Sequence, residues 1–420
     1  MEQRFIVEQS APLKGCIRIG GSKNAVLPVL AGTLLTESSN IIRDVPDLSD
    51  VEVMRQLLTS LGAKLDWNRD AGTITATIGS LQRNEAAYEL VGKLRASFLI
   101  MGPMLARLGE VKVPLPGGCA IGTRPVDLHL KGMAALGAQI EQAHGYVTVR
   151  ANKLKGNKIY LDFPSVGATE NIIMAAVLAE GQTILENCAI EPEIVDLANF
   201  LNAAGADIRG AGTDTIKIRG VKYMKGTDHT VIPDRIEAGT YMVAAAITKG
   251  DIHLTNVVMD HVKPVTAKLK EVSMQVQETV NGIRVFSEEG GGTVASDIKT
   301  LPYPGFPTDI QAPFMSLLAT ANGTSIITES IFENRFMQVG ELKRMGADIK
   351  IEGRSAVVEG VSQLTGAQVR ATDLRAGAAL VLAALRAEGV TEISDIYHVD
   401  RGYQQLDVQL NRLGACIKRV

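Results

Sequence analysis

A glycine-centred phrase recurs six times along this 420-residue chain and limits the folds that are open to it. Each copy follows a helical pattern and leads into an alternating, strand-like segment, as expected of repeated α/β units. KEVSMQV (270–276) is a degenerate copy, with Val272-Ser273 in place of Gly-Ala, in a gap about twice the usual length. The other five copies are LGAKL (61–65), LGAQI (136–140), AGADI (204–208), MGADI (345–349) and LGACI (413–417).

A second phrase with the same period predicts one very apolar helix in each unit. It consists of small and apolar residues, a glycine and then a strand. A helix that is apolar all round is usually buried, so we expect these helices inside and amphipathic helices, such as the one at 51–61, nearer the surface. The copies are LAGTLLTESSNIIR, which has serine at the break, MLARLGEVKV, AVLAEGQTIL, AAITKGDIHL, LATANGTSII and LAALRAEGVTEI.

The loops that open the apolar helices form a third repeated position. They contain the Gly, Ser, Thr and Asp residues that begin helices, and a helix N-terminus attracts anions through its free N–H groups. If the units divide three and three, two domains could face each other across a cleft lined by these helix starts. Capping alone does not explain the basic residues Lys23, Arg95, Arg235 and Arg375 in them. The loops are 19–26, 91–98, 163–171, 232–240, 306–313 and 371–378.

The sixth unit is one strand short, because the sequence printed here stops soon after its glycine phrase. FIVEQ and KGCIRI near the start read as strands at 5–7 and 15–19. We therefore predict a C-terminal domain of residues 1–21 and 233–420, and an N-terminal domain of residues 22–232. Two crossings of the chain between domains are typical of a hinge.

Composition excludes several classes of protein. A net charge of −3 does not suit bulk nucleic-acid binding, and 4% aromatic residues do not suit a stacking platform for single strands. The polar start MEQRFIVEQ lacks the apolar run of a signal peptide, and no apolar stretch is long enough to span a membrane. The histidines have no metal-ligand spacing, so we expect no metal and no cofactor.

The four cysteines divide into two kinds. They lie far apart without a CxxC pair, which indicates free thiols and a cytoplasmic location. Cys16, Cys188 and Cys416 lie in strand-like patterns and are interpreted as small core residues. Cys119 instead lies in a glycine-rich loop, PLPGGCAIGTRPVDLHL (114–130), with Arg124 close behind it.

The loop around Cys119 suits a reactive thiol. Glycines let a backbone approach a ligand closely, and a thiol becomes reactive where it is exposed and near positive charge. The loop stands outside the repeated helix starts, as an insertion after the strand at 111–114, and could act as a lid. From the residues alone, Cys119 is either catalytic or structural.

Basic residues supply candidates for binding phosphate or carboxylate groups. Lys23-Asn24 follow Gly20-Gly21-Ser22, which is not a Walker loop because its spacing and trailing Ser/Thr are absent. A guanidinium group can bind an anion with two hydrogen bonds, although each arginine alone could equally be a surface ion-pair partner. The candidate arginines are Arg95, Arg124, Arg335 and Arg401.

Acidic residues supply candidates for proton transfer. Asp309 stands in the proline-rich stretch YPGFPTDIQAP, where either Thr308 or Asp309 could cap the next helix. Asp309 could instead be a general base near a hydroxyl group. Glu191 and Glu193, in EPEIVD, are interpreted as solvated or capping residues.

Together these motifs resemble the UDP-N-acetylglucosamine 1-carboxyvinyltransferase family of enolpyruvyl transferases, over essentially the whole chain. The resemblance implies an α/β fold of two inside-out α/β barrels, each of three repeated units. It implies transfer of the enolpyruvyl group of phosphoenolpyruvate to the 3′-hydroxyl of UDP-N-acetylglucosamine, early in peptidoglycan synthesis. The motifs are GGSKNA, LPGGCAIGTRPVD, PSVGATEN, PDRIEAGT, PGFPTD, ENRF, ATDLRAGAAL and HVDRGY.

The resemblance also implies roles for individual residues. Cys119 is the acid that protonates phosphoenolpyruvate, and it carries covalent adducts with that substrate or with the epoxide fosfomycin. Asp309 accepts the hydroxyl proton, and Lys23 is the third catalytic residue. The phosphoenolpyruvate site comprises Lys23, Asn24, Arg124 and Arg401. The UDP-N-acetylglucosamine site comprises Asn24, Arg95, Arg124, Pro125, Val126, Asp127, Leu128, Ser165, Val166, Gly167, Asp309 and Ile331.

Two other functions stay open at this point. The shikimate-pathway enolpyruvyl transferase shares the architecture but lacks the Gly-Gly-Cys loop. A catalytically inactive paralogue would bind the nucleotide sugar without turnover, although every acid, base and clamp position is filled here. One departure from the family pattern is Phe163-Pro164 before Ser165, where some members carry a lysine.

Overall fold

The computed structural model describes residues 3–79, 81, 83–115, 125–288 and 291–420, and the chain is an α/β protein of two compact units. The N-terminal unit contains the described residues of 21–232, and the C-terminal unit contains those of 3–20 and 233–420. Each unit has its own hydrophobic core. The units divide at 20/21 and 232/233, where the sequence predicted 21/22 and 232/233. None of the helices in the described ranges is long and apolar enough to cross a bilayer.

The strands are short. In chain order they are β1 (Phe5–Glu8), β2 (Lys14–Arg18), β3 (Asn40–Arg43), β4 (Ala63–Asn68), β5 (Thr73–Ile78), β6 (Glu110–Pro114), β7 (Gln139–Ala143), β8 (Tyr146–Arg150), β9 (Lys158–Tyr160), β10 (Gln182–Glu186), β11 (Asp207–Arg209), β12 (Thr215–Arg219), β13 (Asp228–Thr230), β14 (Asp251–Thr255), β15 (Gln275–Thr279), β16 (Gly282–Phe286), β17 (Ile298–Lys299), β18 (Thr324–Thr328), β19 (Asp348–Glu352), β20 (Ser355–Glu359), β21 (Gln368–Arg370), β22 (Val390–Ser394) and β23 (Cys416–Arg419).

The helices alternate between the apolar and the amphipathic kind. They are α1 (Lys23–Gly32), α2 (Ser49–Ser60), α3 (Tyr88–Lys93), α4 (Met101–Leu108), α5 (Asp127–Ala135), α6 (Val166–Ala176), α7 (Pro192–Ala203), α8 (Arg235–Ile247), α9 (Met259–Glu271), α10 (Thr308–Leu318), α11 (Gln338–Arg344), α12 (Leu374–Arg386), α13 (Tyr397–Asp400) and α14 (Leu406–Arg412). Short 3₁₀ helices lie at Thr33–Leu35 and Arg95–Ile100.

Each repeat builds one small sheet. The strand after the apolar helix pairs in parallel with a short strand and antiparallel with a hairpin, as in β9-β10-β12-β11 and β17-β18-β20-β19. In the second repeat, β6-β8-β7, the parallel strand is reduced to a bridge between Glu85 and Lys112. At the two crossings between units the strands are exchanged. β2 precedes α1 but pairs with β14, whereas β13 precedes α8 but pairs with β3.

The sixth sheet takes a strand from the start of the chain. Its order is β21-β22-β1-β23, so β1 stands where the other repeats have a hairpin strand. Phe5 is paired with Ile393 on one side and with Arg419 on the other. The strand that the sixth repeat lacks in sequence is thus supplied by residues 5–8.

The glycine phrase ends each amphipathic helix in the same backbone turn. At residues 137, 205, 273, 346 and 414 the N–H bonds the carbonyl three residues earlier and the next N–H bonds the carbonyl five residues earlier, which is a Schellman cap. At Gly62 the first of these two bonds is present, to Thr59. Gly62, Gly137, Gly205, Gly346 and Gly414 have φ between +89° and +110°. Ser273 occupies this position in the degenerate copy with φ +70°. The glycine counterpart is therefore Ser273, and the predicted alignment of Val272-Ser273 with Gly-Ala was shifted by one residue.

The apolar helices form the inside of each unit. In the C-terminal unit α8, α10 and α12 pack against one another, and nearly every residue of α8 and α12 is buried. In the N-terminal unit α4 packs against α6, and α1 is buried along almost its whole length. The burial of these helices was predicted from their composition, and the sheets that cover them give the inside-out arrangement that the family resemblance implied.

Three local predictions were wrong. The segment 91–98 is not a loop, because α3 and the 3₁₀ helix at Arg95–Ile100 lead directly into α4. Thr308 and Asp309 do not cap α10, whose N-cap is Pro307. Cys16 is exposed on β2 and Cys416 is half-buried, so only Cys188 of the three described cysteines is a core residue. Alternation along a strand exposes every second side chain, which the strand pattern alone did not resolve for Cys16.

Candidate active site

Cys119 and Arg124 lie outside the described residues. The remaining predicted site residues fall into one group in the N-terminal unit and one group in the C-terminal unit.

Lys23 is a buried cation at the start of α1. Its side chain is only 10% exposed, and its Nζ lies 2.7 Å from Oδ2 of Asp50, in the first turn of α2. The chain reaches this point through Gly21, where an added Cβ would lie 1.8 Å from the carbonyl oxygen of Asp44. The first position of α1 is therefore tied to the next helix, and half-buried Asn24 follows it. Lys23 is not the solvated surface lysine that the turn alone would have allowed.

Three of the predicted nucleotide-sugar segments in the N-terminal unit lie around His129. A Cβ on Gly167, at the start of α6, would lie 3.2 Å from Cε1 of His129 on α5. Phe98, in the 3₁₀ helix that begins at Arg95, meets the His129 ring edge-on at 5.2 Å. Three segments that are far apart in sequence, at Arg95, 125–128 and 165–167, are thereby packed together. In these segments Pro125 and Asp127 are exposed, Val126 is buried, and Arg95, Leu128, Ser165, Val166 and Gly167 are half-buried.

Asn171 holds these three segments in place. Its Nδ2 lies 3.0 Å from Nδ1 of His129 and donates to the carbonyl of Phe98, while its Oδ1 accepts from the N–H of Gly102 at 2.6 Å. Burial, and then the charge of Arg95, lower the pKa of His129 to about 4. His129 is therefore neutral at pH 7. Both residues stand in motifs of the sequence, His129 in PLPGGCAIGTRPVDLHL and Asn171 at the end of PSVGATEN, but those motifs assign no role to either side chain.

An acidic cluster lies buried in the same unit. Glu170 on α6 is 3% exposed, and burial together with the charges of Glu193 and Glu191 raises the pKa of its carboxyl group well above the usual value. Glu191 and Glu193 are also buried, so they are not the solvated residues that the sequence allowed. The capping alternative holds by position for Glu191, which is the N-cap residue of α7 but makes no side-chain cap hydrogen bond. Both residues lie at the start of α7, whose N-terminal N–H groups favour negative charge.

Asp309 is the centre of the group in the C-terminal unit. Arg335 donates from Nη2 to its Oδ1 at 2.5 Å, and Arg375 donates from Nη2 to its Oδ2 at 3.1 Å. The arginine side chains are 6% and 3% exposed, whereas Asp309 is 23% exposed. Two buried guanidinium groups thus hold the carboxylate by both oxygens while part of it reaches the surface of the unit.

Arg375 connects Asp309 with the segment that contains Arg401. The Arg375 guanidinium lies over the ring of Tyr403 at 5.2 Å, and the Tyr403 hydroxyl is 2.9 Å from Oγ1 of Thr240 on α8. Tyr403 is buried two residues after half-buried Arg401, which ends α13. Ile331 lies half-buried on the loop after β18. Asp309, Arg401 and Ile331 therefore lie in one unit, and Asp309 shares a network with the Arg401 segment.

Comparisons with known proteins match this chain over all or nearly all of its length. A family model described as EPSP synthase (3-phosphoshikimate 1-carboxyvinyltransferase) matches residues 7–410. A relative in Caldanaerobacter subterraneus, named UDP-N-acetylglucosamine 1-carboxyvinyltransferase 1, is 60% identical and is covered completely, as is this chain. A relative in Carboxydothermus hydrogenoformans, named UDP-N-acetylglucosamine 1-carboxyvinyltransferase 2, is 57% identical over 100% of this chain and 99% of its own length.

The chain belongs to the UDP-N-acetylglucosamine 1-carboxyvinyltransferase family. Solved structures of enolpyruvyl transferases have the same fold. The enolpyruvyl transferase NikO from Streptomyces tendae superposes with a TM-score of 0.90 at 25% identity, covering 100% of this chain and 99% of NikO. EPSP synthase from Acinetobacter baumannii has a TM-score of 0.77 at 20% identity over the full length of both chains, a likeness of fold alone.

The described part of the chain contains no group of three or more His, Cys, Asp and Glu residues that could hold a metal ion. The described side chains that bear on the chemistry are a buried cation at Lys23, a carboxylate at Asp309 and the arginines around it. Cationic groups of this kind can bind an anionic substrate, and a carboxylate can accept a proton.

Proposed function

We propose that this protein transfers the enolpyruvyl group of phosphoenolpyruvate to the 3′-hydroxyl of UDP-N-acetylglucosamine, with release of phosphate, in peptidoglycan synthesis. The observation that carries the proposal is the full-length similarity, at 60% and 57% identity, to relatives named for this activity. The sequence also retains the cysteine loop, with Cys119, and the PGFPTD segment, with Asp309, that the activity needs.

The reaction follows an addition and an elimination. Cys119 gives a proton to the methylene carbon of phosphoenolpyruvate, and the sugar hydroxyl oxygen bonds to the neighbouring carbon as Asp309 takes the hydroxyl proton. The methyl group of this adduct then returns a proton to the Cys119 thiolate, the C–O bond to phosphate breaks, phosphate leaves with the proton that Asp309 had taken, and the enolpyruvyl ether remains. The step needs one acid, one base and cations for the phosphate.

Asp309 is suited to the role of base by its setting. Arg335 and Arg375 fix both of its oxygens, so its orientation is set before substrate binds. Holding reacting groups in place lowers the entropic part of the barrier. Lys23, Arg124 and Arg401 are proposed to bind phosphoenolpyruvate together with Asn24. Segments 125–128 and 165–167, with Arg95, Arg124, Asn24, Asp309 and Ile331, are proposed to bind the nucleotide sugar.

Fosfomycin is proposed to alkylate Cys119, and the protein is proposed to act in the cytoplasm. The three described cysteines are free thiols, one of them exposed, which suits a reducing compartment.

The test is release of inorganic phosphate from phosphoenolpyruvate by the purified protein. UDP-N-acetylglucosamine should support turnover, and shikimate 3-phosphate should not. Turnover with shikimate 3-phosphate instead would assign the protein to the shikimate pathway. Tight binding of the nucleotide sugar without phosphate release would identify an inactive paralogue.

A further inference from the structure

We propose that Glu329 is a positioning residue for the part of the site that binds the acceptor sugar. No motif singled out this residue, and the inference rests on the proposed function. Glu329 follows β18 directly and is 1% exposed. A buried carboxylate is costly unless hydrogen bonds satisfy it, and Glu329 accepts four of them.

The first oxygen of Glu329 organises the loop that contains Ile331. Its Oε1 accepts from the N–H groups of Ile331 at 2.8 Å and Phe332 at 3.2 Å, and from the Thr300 hydroxyl at 2.8 Å. Because the Ile331 N–H points at Glu329, a contact of Ile331 with the nucleotide sugar has to use its carbonyl or its side chain. Glu329 thus sets which face of this backbone segment is presented.

The second oxygen of Glu329 reaches Asp309 through two further groups. Its Oε2 accepts from the Thr308 hydroxyl at 2.7 Å. With its hydrogen so directed, the same hydroxyl oxygen accepts from Nη1 of Arg335 at 3.0 Å, and Nη2 of Arg335 donates to Asp309. The Glu329 carboxylate therefore orients the Thr308 hydroxyl, and that hydroxyl in turn orients the guanidinium group of Arg335. Because Arg335 also holds Asp309, Glu329 indirectly positions the proposed base.

Glu329 differs from the residues that directly follow the equivalent strand in the other repeats. Four of them place an Asp or Asn with positive φ directly after the corresponding strand: Asp44, Asn187, Asn256 and Asp395. The side chains of Asn187 and Asn256 donate to backbone carbonyls, an ordinary way to secure a turn. In the fifth repeat the longer side chain of Glu329 instead accepts hydrogen bonds from the Ile331 segment, which is proposed to bind the nucleotide sugar.

Glu329→Gln tests this role, because it keeps the shape and removes the charge and one acceptor oxygen. With wild-type turnover established, we expect the variant to show a KM for UDP-N-acetylglucosamine about 10-fold higher and a kcat about 10-fold lower, since small displacements of reacting groups reduce rates strongly. The KM for phosphoenolpyruvate should stay within about 2-fold, because the four hydrogen bonds of Glu329 go to Thr300, Thr308, Ile331 and Phe332 and not to a proposed phosphoenolpyruvate residue.

Thr308→Val separates positioning from a general loss of structure. This variant removes only the linking hydroxyl, so it should lower kcat in the same direction. If Glu329 acts on Asp309 through Thr308, the double variant should have a kcat no lower than that of Glu329→Gln alone. Thr328→Val is the matched control: it lies on β18 beside Glu329, and its hydroxyl contacts Ser355 at 3.1 Å. It should keep both KM values and kcat.

Three results would overturn the proposal. These are wild-type constants in Glu329→Gln, equal increases in both KM values, or fully additive losses in the double variant. Failure of the proposed function would be seen differently, as absence of turnover in the wild-type protein before any variant is compared.

Discussion

The six equivalent helix ends allow the cost of one backbone conformation to be measured inside a single protein. Five caps have glycine at the left-handed position, and one has Ser273 at φ +70°. A left-handed conformation costs an L-residue about 1–2 kcal/mol, whereas glycine loses about 0.5–1 kcal/mol more conformational entropy on folding. The difference predicts that Ser273→Gly stabilises the protein by about 0.5–1 kcal/mol.

The reverse exchange serves as the matched control. Gly346 has φ +89° in the same unit, and a Cβ there would meet nothing closer than Oγ1 of Thr365 at 3.7 Å. Gly346→Ser therefore adds no steric clash and should destabilise the protein by about 0.5–1 kcal/mol through its backbone alone.

Equilibrium urea unfolding followed by circular dichroism would measure both changes, as shifts of the midpoint at constant slope. Ser273→Gly should unfold at higher urea than wild type, and Gly346→Ser at lower urea. If Ser273→Gly were neutral or destabilising while Gly346→Ser lost stability, the left-handed backbone conformation of Ser273 would not reduce the stability of the protein. A change in slope would instead report an altered unfolded state.

Three further predictions concern the site. Asp309→Asn should lower the rate of phosphate release by roughly 10²–10⁴, and it should cost up to about 3–5 kcal/mol in urea unfolding because buried Arg375 loses its counter-charge. A normal rate in that variant would reduce Asp309 to an ion-pair partner. Fosfomycin should alkylate Cys119, and it should do so more readily with UDP-N-acetylglucosamine bound. Peptide mass spectrometry that found the adduct on exposed Cys16 would contradict this. The variant Cys119→Asp should keep some turnover and lose its sensitivity to fosfomycin. His129 has a pKa lowered to about 4, so the unfolded chain binds its proton first and stability should fall by up to about 3 kcal/mol as pH drops from 6.5 to 4. In His129→Gln the urea midpoint should depend less steeply on pH in that window, and an unchanged slope would exclude His129 as the titrating group.

Local features of this protein were readable from its sequence because their causes are local. The apolar helices, the amphipathic helices and the glycine caps each depend on residues within one turn or one helix. Helix starts at Asp234 and Asp373 were likewise evident, since an N-cap acts on N–H groups two and three residues away. The prediction of a loop at 91–98 was wrong, because that segment contains the end of α3 and part of the 3₁₀ helix at Arg95–Ile100.

Identification of the site residues drew on motifs, and motifs carry no distances. They named Asp309, Lys23 and Ile331, yet they did not show that Asp50 pairs with Lys23 or that two arginines clamp Asp309. They were also misleading at Glu191 and Glu193, because an acidic residue is usually solvated and only neighbouring elements can bury it.

The repeat and its α/β units are predictable from short stretches of chain, since periodicity and capping are local, and the family is recognised from its motifs. Which strand completes which sheet, and which side chains share a network, is visible only in the folded protein. β1 joins strands more than 380 residues away in sequence, with Phe5 paired to Ile393. Glu329, Thr308 and Asn171 gained their contacts in the same way. Such contacts depend on packing between distant segments, whose energies no local pattern encodes.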